Sequence, residues 1–215
     1  MIKKIIILLG PPGSGKGTQG AVLSRALELP HISTGDIFRK IILSNSEESK
    51  MLADYMNEGQ LIPTDMVNQV VKKCILSKER KEGCILDGYP RTLNQAKYFS
   101  ENIDANINVI FFDIDNKIII KRVLGRTSCK SCGRIYNEYF DKPTQESACD
   151  DCGSNEFSAR IDDNENTVLS RIEEYKKETL PLVEYYKNKG QLFKINAGDS
   201  KEQIVNELAS IIKRI

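Results

Sequence analysis

Histidine is almost missing from this chain: there is one, His31, in 215 residues. It precedes Ile-Ser-Thr-Gly at a strand start and reads as structural, not as a member of a metal site. Net charge is nearly absent as well, at +1. That excludes the bulk positive field that draws proteins to nucleic acid or anionic membranes, although local arginine clusters could still bind anions. No apolar run approaches the roughly 20 residues of a membrane span. The opening M-I-K-K-I-I-I-L-L-G has the lysines and apolar run of a leader. The run from Ile5 to Leu9 is short, however, and ends in glycines and a lysine, so a buried strand is the better reading. There is no internal repeat and no tract of disordered composition. Hydrophobic residues are 40% and charged ones 28%, ordinary for a globular chain. The length suits one sizeable core carrying one or two inserted pieces. We read a cytosolic protein.

Apolar runs alternate with helical patterns. Strands are expected at Ile5–Leu9, Cys84–Leu86, Val109–Asp113 and Leu192–Ile195. Helices are expected over 18–29, 49–58, 63–76, 94–101, 117–124, 167–188 (bent near Pro181) and 201–214. Ser33-Thr34-Gly35-Asp36 reads as a turn and helix cap. This alternation predicts an α/β fold with a parallel sheet flanked by helices. Residues 125–163 break the pattern. They are polar, contain glycines and hold four of the six cysteines, so they read as an inserted small domain.

Gly10-Pro11-Pro12-Gly13-Ser14-Gly15-Lys16-Gly17-Thr18 lies between the first strand and the first helix. It has the form G-x-x-x-x-G-K-G-T, with Gly17 where Ser or Thr usually follows the lysine. Backbone N–H groups in such a loop converge on phosphate, and the helix start adds its positive end. Lys16 brings a point charge to the β and γ phosphates. Thr18 is placed to reach Mg²⁺ or phosphate, or to cap the first helical turn.

Cys129 and Cys132 form one C-x-x-C pair, and Cys149 and Cys152 another, with sixteen residues between the pairs. Each pair precedes a glycine, Gly133 or Gly153, as in tight knuckle turns. Four soft ligands favour a tetrahedral structural Zn²⁺, with iron, loose thiols or disulfides as alternatives. A four-sulfur shell leaves no open position for catalysis. Cys74 and Cys84 read as small core residues.

Taken in order, the motifs resemble bacterial adenylate kinase of the long-lid type, nearly end to end. Gly13–Gln19 resembles its phosphate loop. Asp87-Gly88-Tyr89-Pro90-Arg91 with Gln95 resembles D-G-[FY]-P-R-x-x-x-Q. Ser33–Asp36 with Arg39, and Gly59–Pro63, resemble the two ends of its monophosphate-binding insertion. Arg122 and Arg126 resemble arginines entering the lid, and Arg160, Asp162, Asp163 and Arg171 those leaving it. The resemblance implies a P-loop core of residues 1–32, 63–124 and 164–215, an AMP-binding insertion 33–62 and a zinc-binding lid 125–163. It implies reversible transfer, ATP + AMP = 2 ADP, by a monomer using Mg²⁺-nucleotide.

Roles follow residue by residue. ATP would be held by Gly13, Ser14, Gly15, Lys16, Gly17, Thr18, Arg122, Arg126 and Ser200, with Ile135 and Tyr136 near its base. For Ile135 and Tyr136, apolar support of the cysteine knuckle is the alternative. AMP would meet Thr34, Arg39, Gln60, Leu61, Ile62, Gly88, Tyr89, Pro90, Arg91, Gln95, Arg160 and Arg171. Lys16, Arg91, Arg126, Arg160 and Arg171 would neutralise the phosphoryl group in transfer, and Asp87 would hold waters of Mg²⁺ or cap a turn. Phe140 reads as lid packing.

Three local departures stand out from the family pattern. Asn196-Ala197-Gly198 replaces an Asp-Gly turn, Pro63-Thr64-Asp65 is one residue longer than many relatives, and Gly20 stands where alanine is common. A purely structural nucleotide-binding protein would not need arginines on both sides of a lid, and two other readings remain open. One is a related kinase with another acceptor or donor, although the inserted lid argues against the short-lid pyrimidine enzymes. The other is a zinc-ribbon binding module on an ATPase. Against that, Glu138, Asp141, Glu146, Asp150, Asp151 and Glu156 would repel nucleic acid.

Overall fold

The computed structural model describes residues 2–44, 47–76, 82–145 and 147–215; Glu146, counted above among the lid's acidic residues, lies outside them. Five parallel strands form the central sheet: β1 (Ile2–Leu9), β2 (His31–Ser33), β3 (Gly83–Asp87), β4 (Ala105–Asp113) and, after the inserted domain, β8 (Leu192–Asn196). Their order is β2-β3-β1-β4-β8. This is the α/β fold read from the sequence.

The period of two explains how the sheet is buried. Ile5, Ile7 and Leu9 of β1 join Cys84, Leu86, Val109 and Phe111 on one face. Ile6 and Leu8 join Ile85, Ile110 and Phe112 on the other. Every residue from Ile5 to Leu9 is at most 2% exposed, as a central parallel strand covered on both sides requires. Each such side chain contributes about 1.5–3 kcal/mol. A one-residue slip would exchange the two faces, so register is tightly specified.

Helices α1 (Lys16–Leu27), α2 (Thr34–Ile42), α3 (Glu47–Asn57), α4 (Thr64–Ile75), α5 (Leu93–Asn102) and α6 (Asn116–Leu124) follow the strands. Beyond the lid come α7 (Glu165–Glu174), a π-helical turn at Tyr175–Thr179, α8 (Pro181–Asn188) and α9 (Lys201–Ile212). A π turn lies where a bend is expected near Pro181, with Pro181 at the first position of α8, a position that tolerates proline. The strands extend further than the apolar runs. Polar Asn106 and Asn108 continue β4 through backbone pairing with β1.

The inserted segment carries its own antiparallel sheet, β6-β5-β7, from β5 (Arg126–Cys129), β6 (Ile135–Asn137) and β7 (Phe157–Ser158). Its small core is Cys129, Tyr136 and Cys149, with Phe157 against them. Four residues cannot supply a hydrophobic core of ordinary size, so the unit needs a staple. Among the described residues, no helix is long and apolar enough to cross a membrane.

Candidate active site and metal centre

The C-terminal ends of β1, β2 and β3 open into one cleft of about 1040 Å³. That is where ligands meet an open α/β sheet. The loop after β1 ends at Gly15, whose φ of 90° makes it a left-handed N-cap for α1. A Cβ there would meet nothing within 4 Å. Glycine is therefore needed for backbone conformation, and the space beside it is free for a ligand. Lys16 Nζ donates to Gly10 O and Pro11 O, both at 2.7 Å, and to Ser14 Oγ at 3.2 Å. Burial pushes its pKa down to about 8, opposed by the Asp87 carboxylate.

At the end of β3, Asp87 pairs in register with Leu8 of β1 and Ser33 of β2. Its Oδ2 is 3.5 Å from His31 Nε2. A side chain on Gly17 would begin 3.4 Å from Ile135 of the lid and 3.5 Å from Asp87 Oδ2. A first side-chain carbon there would make ordinary van der Waals contact with both, so space alone does not exclude the usual Ser or Thr after the lysine. Gly88 follows with φ 82°, and a Cβ there would lie 2.7 Å from Thr34 Oγ1. Thr34 Oγ1 donates to Gly88 O (3.0 Å) and Arg91 Nε donates to the same oxygen (2.9 Å). The cap of α2 is Ser33, which accepts from Asp36 N. Thr34 instead ties the ends of β2 and β3 together.

Arginines reach the cleft from six segments of the chain. Arg126 is gripped by Asp163, with Nε to Oδ2 at 2.7 Å and Nη2 to Oδ1 at 2.5 Å. Arg171 pairs with Asp162 and lies 3.8 Å from Asp163. Arg39 pairs with Asp36 at 2.5 Å and Asp162 at 3.6 Å, and Arg160 with Asp36 at 3.6 Å. Three carboxylates therefore link four guanidinium groups in one chain. Arg91 stands apart, held by the Gly88 carbonyl. Burial and then its cationic neighbour Arg171 lower it to about 10. Arg160 falls to about 10 through burial and the charge of Arg126. Such crowding favours any anion that enters. Arg122, lowered by burial, lies over the Phe140 ring at 5.6 Å.

The cleft is lined by nearly every residue expected to touch nucleotide: Gly13, Ser14, Gly15, Lys16, Gly17, Thr18, Arg122, Arg126, Ile135, Tyr136 and Ser200, and Thr34, Arg39, Gln60, Leu61, Ile62, Gly88, Pro90, Arg91, Gln95, Arg160, Arg171 and Asp87. Tyr89 is not among them. It is 1% exposed, packs edge-on against Phe99, and donates to Asn68 Oδ1 at 2.7 Å. The peptide to Pro90 is cis. The chain turns after Gly88 so that the tyrosine goes into the core while Pro90 and Arg91 return to the cleft.

Gln95 is 2% exposed, and its Oε1 accepts from Arg91 N at 2.7 Å. This fixes the amide and leaves its NH₂ and one oxygen lone pair for a base edge. Ser200 caps α9 through a capping box with Gln203. The sequence reading missed the carboxylate of Asp36 as an arginine partner, and it missed Thr179, whose Oγ1 donates to Arg91 O at 2.8 Å. Phe140, read as lid packing, also lines the cleft. Acidic residues lying near arginines in sequence, Asp36 before Arg39 and Asp162-Asp163 after Arg160, were the available signal.

Among the described residues, the four lid cysteines are the group with metal-binding geometry, their sulfurs all within 4.8 Å of one another. Cys129–Cys152 is 3.6 Å and Cys132–Cys149 is 3.5 Å. A tetrahedral ion with Zn–S of about 2.3 Å places its sulfurs roughly 3.8 Å apart, so the residues fit a Zn²⁺-sized ion. Gly133 N and Gly153 N close the two knuckles onto Cys129 O and Cys149 O. A hydrogen bond from Tyr136, together with backbone N–H groups, brings the Cys149 thiol down to about 6 despite desolvation.

Cations this dense around a phosphate loop mark a P-loop nucleotide-binding protein built for anionic phosphates. The family described as adenylate kinase matches residues 8–191. Similar proteins named adenylate kinase occur in Rickettsia africae (strain ESF-5), 50% identical over 209 residues, and Rickettsia peacockii (strain Rustic), 49% identical over 209; each alignment covers 97% of this chain and 99% of the relative. One from Rickettsia typhi (strain ATCC VR-144 / Wilmington) is 50% identical over 210 residues, with the same coverage. The chain belongs to the adenylate kinase family.

Proposed function

We propose that this protein catalyses ATP + AMP = 2 ADP, and that the observation carrying this reading is the convergence of Arg39, Arg91, Arg126, Arg160 and Arg171 on the cleft that holds Lys16. A P-loop alone would serve one nucleotide. Arginines on a second side of the cleft supply the place for another phosphate. Family membership points the same way.

Donor and acceptor phosphates together carry a crowd of negative charge, so neutralising and aligning them is the main task. Lys16 and the loop N–H groups take the donor phosphates. Arg39 and Arg91 take the AMP phosphate. Arg126 and Arg160 cover the group in transfer, Arg171 stands at the acceptor phosphates, and Arg122 flanks the donor base. An oxygen of the AMP phosphate attacks the γ phosphorus, and the bond to the β–γ bridging oxygen breaks. A phosphate monoester has its second pKa near ~6, so the attacking oxygen is already deprotonated and no general base is needed.

Mg²⁺, when bound with nucleotide, would supply charge neutralisation to the phosphates. Asp87 fits its hard-oxygen preference: its carboxylate ends β3 and faces the loop at Gly17. Thr18, which lines the same cleft, offers a hydroxyl. The free amide edge of Gln95 supports adenine as the acceptor base. Residues 1–32, 63–124 and 164–215 would act as the core, 33–62 as the AMP flap and 125–163 as the lid, closing to exclude water. Zinc is the metal we assign to the four cysteines, in a purely architectural role. We place the protein in the cytoplasm as a monomer acting on small nucleotides and not on nucleic acid, consistent with its net charge of +1.

The test is a coupled spectrophotometric assay with Mg²⁺-ATP and AMP, CMP, UMP or GMP. ADP formation that depends strongly on AMP is expected. Preference for another monophosphate would move the specificity. No activity with any acceptor from folded, metal-loaded protein would overturn the kinase reading.

A further inference from the structure

Tyr136 sits on β6 between two systems. The strand borders the nucleotide cleft, yet the ring is 1% exposed and its hydroxyl faces the cysteines. The oxygen accepts Asp150 N–H at 2.7 Å and donates to Cys149 Sγ at 3.4 Å. With the amide occupying a lone pair, the phenolic proton is directed at sulfur. The ring cannot easily turn away. Arg134 covers it at 4.9 Å from the centroid, and Phe157 meets it edge-on at 5.6 Å. Arg134 is in turn anchored by Asp150 at 3.1 Å and by Asp151. Among the described residues, Cys149 is the one thiol of the four with a hydroxyl donor.

We propose that Tyr136 is a positioning residue for the lid's metal centre: its hydroxyl orients the Cys149 sulfur and takes up part of the thiolate charge. Four thiolates give a divalent ion a net charge of about −2, and that charge must be dispersed in a lid with almost no core. Donors behind metal ligands commonly decide affinity by 10–100-fold. Tyr136 supplies one from the strand that also borders the nucleotide cleft, so metal retention and the shape of the cleft wall share one side chain.

Tyr136→Phe keeps the ring, the Arg134 contact and the Phe157 contact, and removes only the hydroxyl. Two quantities would be read: the Kd for Zn²⁺ by competition with a chromophoric chelator, and the thiolate-to-metal charge-transfer band of the Co²⁺-substituted protein. Removing the hydroxyl should raise the Kd about 10–100-fold, because the Cys149 sulfur is no longer held in place for the ion, and should shift the band, because the hydrogen bond no longer draws charge from that sulfur. A Phe157→Leu control, which loosens the ring's neighbour and keeps the hydroxyl, should leave the band in place. An unchanged Kd or an unchanged band in Tyr136→Phe overturns the proposal, and so does an equal band shift in Phe157→Leu, which would trace the effect to packing.

Discussion

Asp163 holds Arg126 through both carboxylate oxygens, and its side chain is 1% exposed. A carboxylate so buried has no water to fall back on, so the pair is fixed in geometry. Asp162, also buried, pairs with Arg171 and Arg39, and the more exposed Asp36 pairs with Arg39 and Arg160, each through one oxygen. The arginines are thus kept aimed into the cleft by acids behind them, and phosphate can take over part of their hydrogen bonding.

Asp163→Asn should therefore lower activity and stability together. Asparagine offers Arg126 one acceptor in place of two and leaves the guanidinium charge uncompensated. Breaking one side of a buried pair costs about 3 kcal/mol, or roughly 6–12 °C in Tm for a chain of this size. We expect kcat to fall at least tenfold, with little change in the KM for AMP. Calorimetry and steady-state kinetics on the same variant measure both; wild-type Tm with wild-type kcat would contradict the role.

Lys16 gives a pH dependence with a definite sign. Its folded pKa is about 8, so the free protein loses this proton as pH rises through 8. Donor phosphates favour the ammonium form. Binding above pH 8 should therefore take up a proton, and affinity should fall by up to tenfold per pH unit. Folding stability runs the other way. The native state holds the proton more weakly than the unfolded chain, so Lys16 opposes folding below about pH 8, and that opposition fades as pH approaches the ordinary lysine value of 10.5. Titration calorimetry with a non-hydrolysable ATP analogue, in two buffers of different ionisation enthalpy, measures the uptake. Zero uptake at pH 9 would rule out this assignment.

Tyr89 separates what the sequence shows from what it hides. The motif around it is plainly legible, and Asp87, Gly88, Pro90 and Arg91 all line the cleft. The tyrosine sits in the same run and faces the opposite way. Sequence order gives neighbours along the chain but not the turn that sends one side chain into the core, where its partner is Asn68, twenty-one positions earlier. The same limit hid Thr179 under Arg91. The phosphate loop, the strand alternation and the cysteine pairs were legible because each is local and carries its own spacing. Tyr89→Phe should leave the KM for AMP unchanged. It leaves Asn68 Oδ1, in a residue 5% exposed, without this donor, at about 1.5 kcal/mol, or roughly 3–6 °C in Tm. A raised KM at unchanged Tm would return Tyr89 to the substrate.

Gly20 looks like a flaw in α1, since a mid-helix glycine loses about 0.5–1 kcal/mol against alanine. The structure supplies the reason. A Cβ at position 20 would lie 2.5 Å from His31 Nε2 and 2.7 Å from His31 Cε1. The imidazole occupies the space an alanine methyl would need. His31 Nε2 is buried without a hydrogen-bond partner, at 3.5 Å from Asp87 Oδ2. Gly20→Ala should therefore displace the ring and lower stability by about 1–3 kcal/mol, against the gain its helix propensity predicts. Removing the ring should remove the clash. In Gly20→Ala combined with His31→Ser, the alanine should cost nothing or stabilise, giving a coupling of at least about 1 kcal/mol in a double-mutant cycle. Denaturant unfolding of the four proteins measures it. If the two substitutions simply add, the methyl and the imidazole do not compete for the same space, and the glycine has another cause.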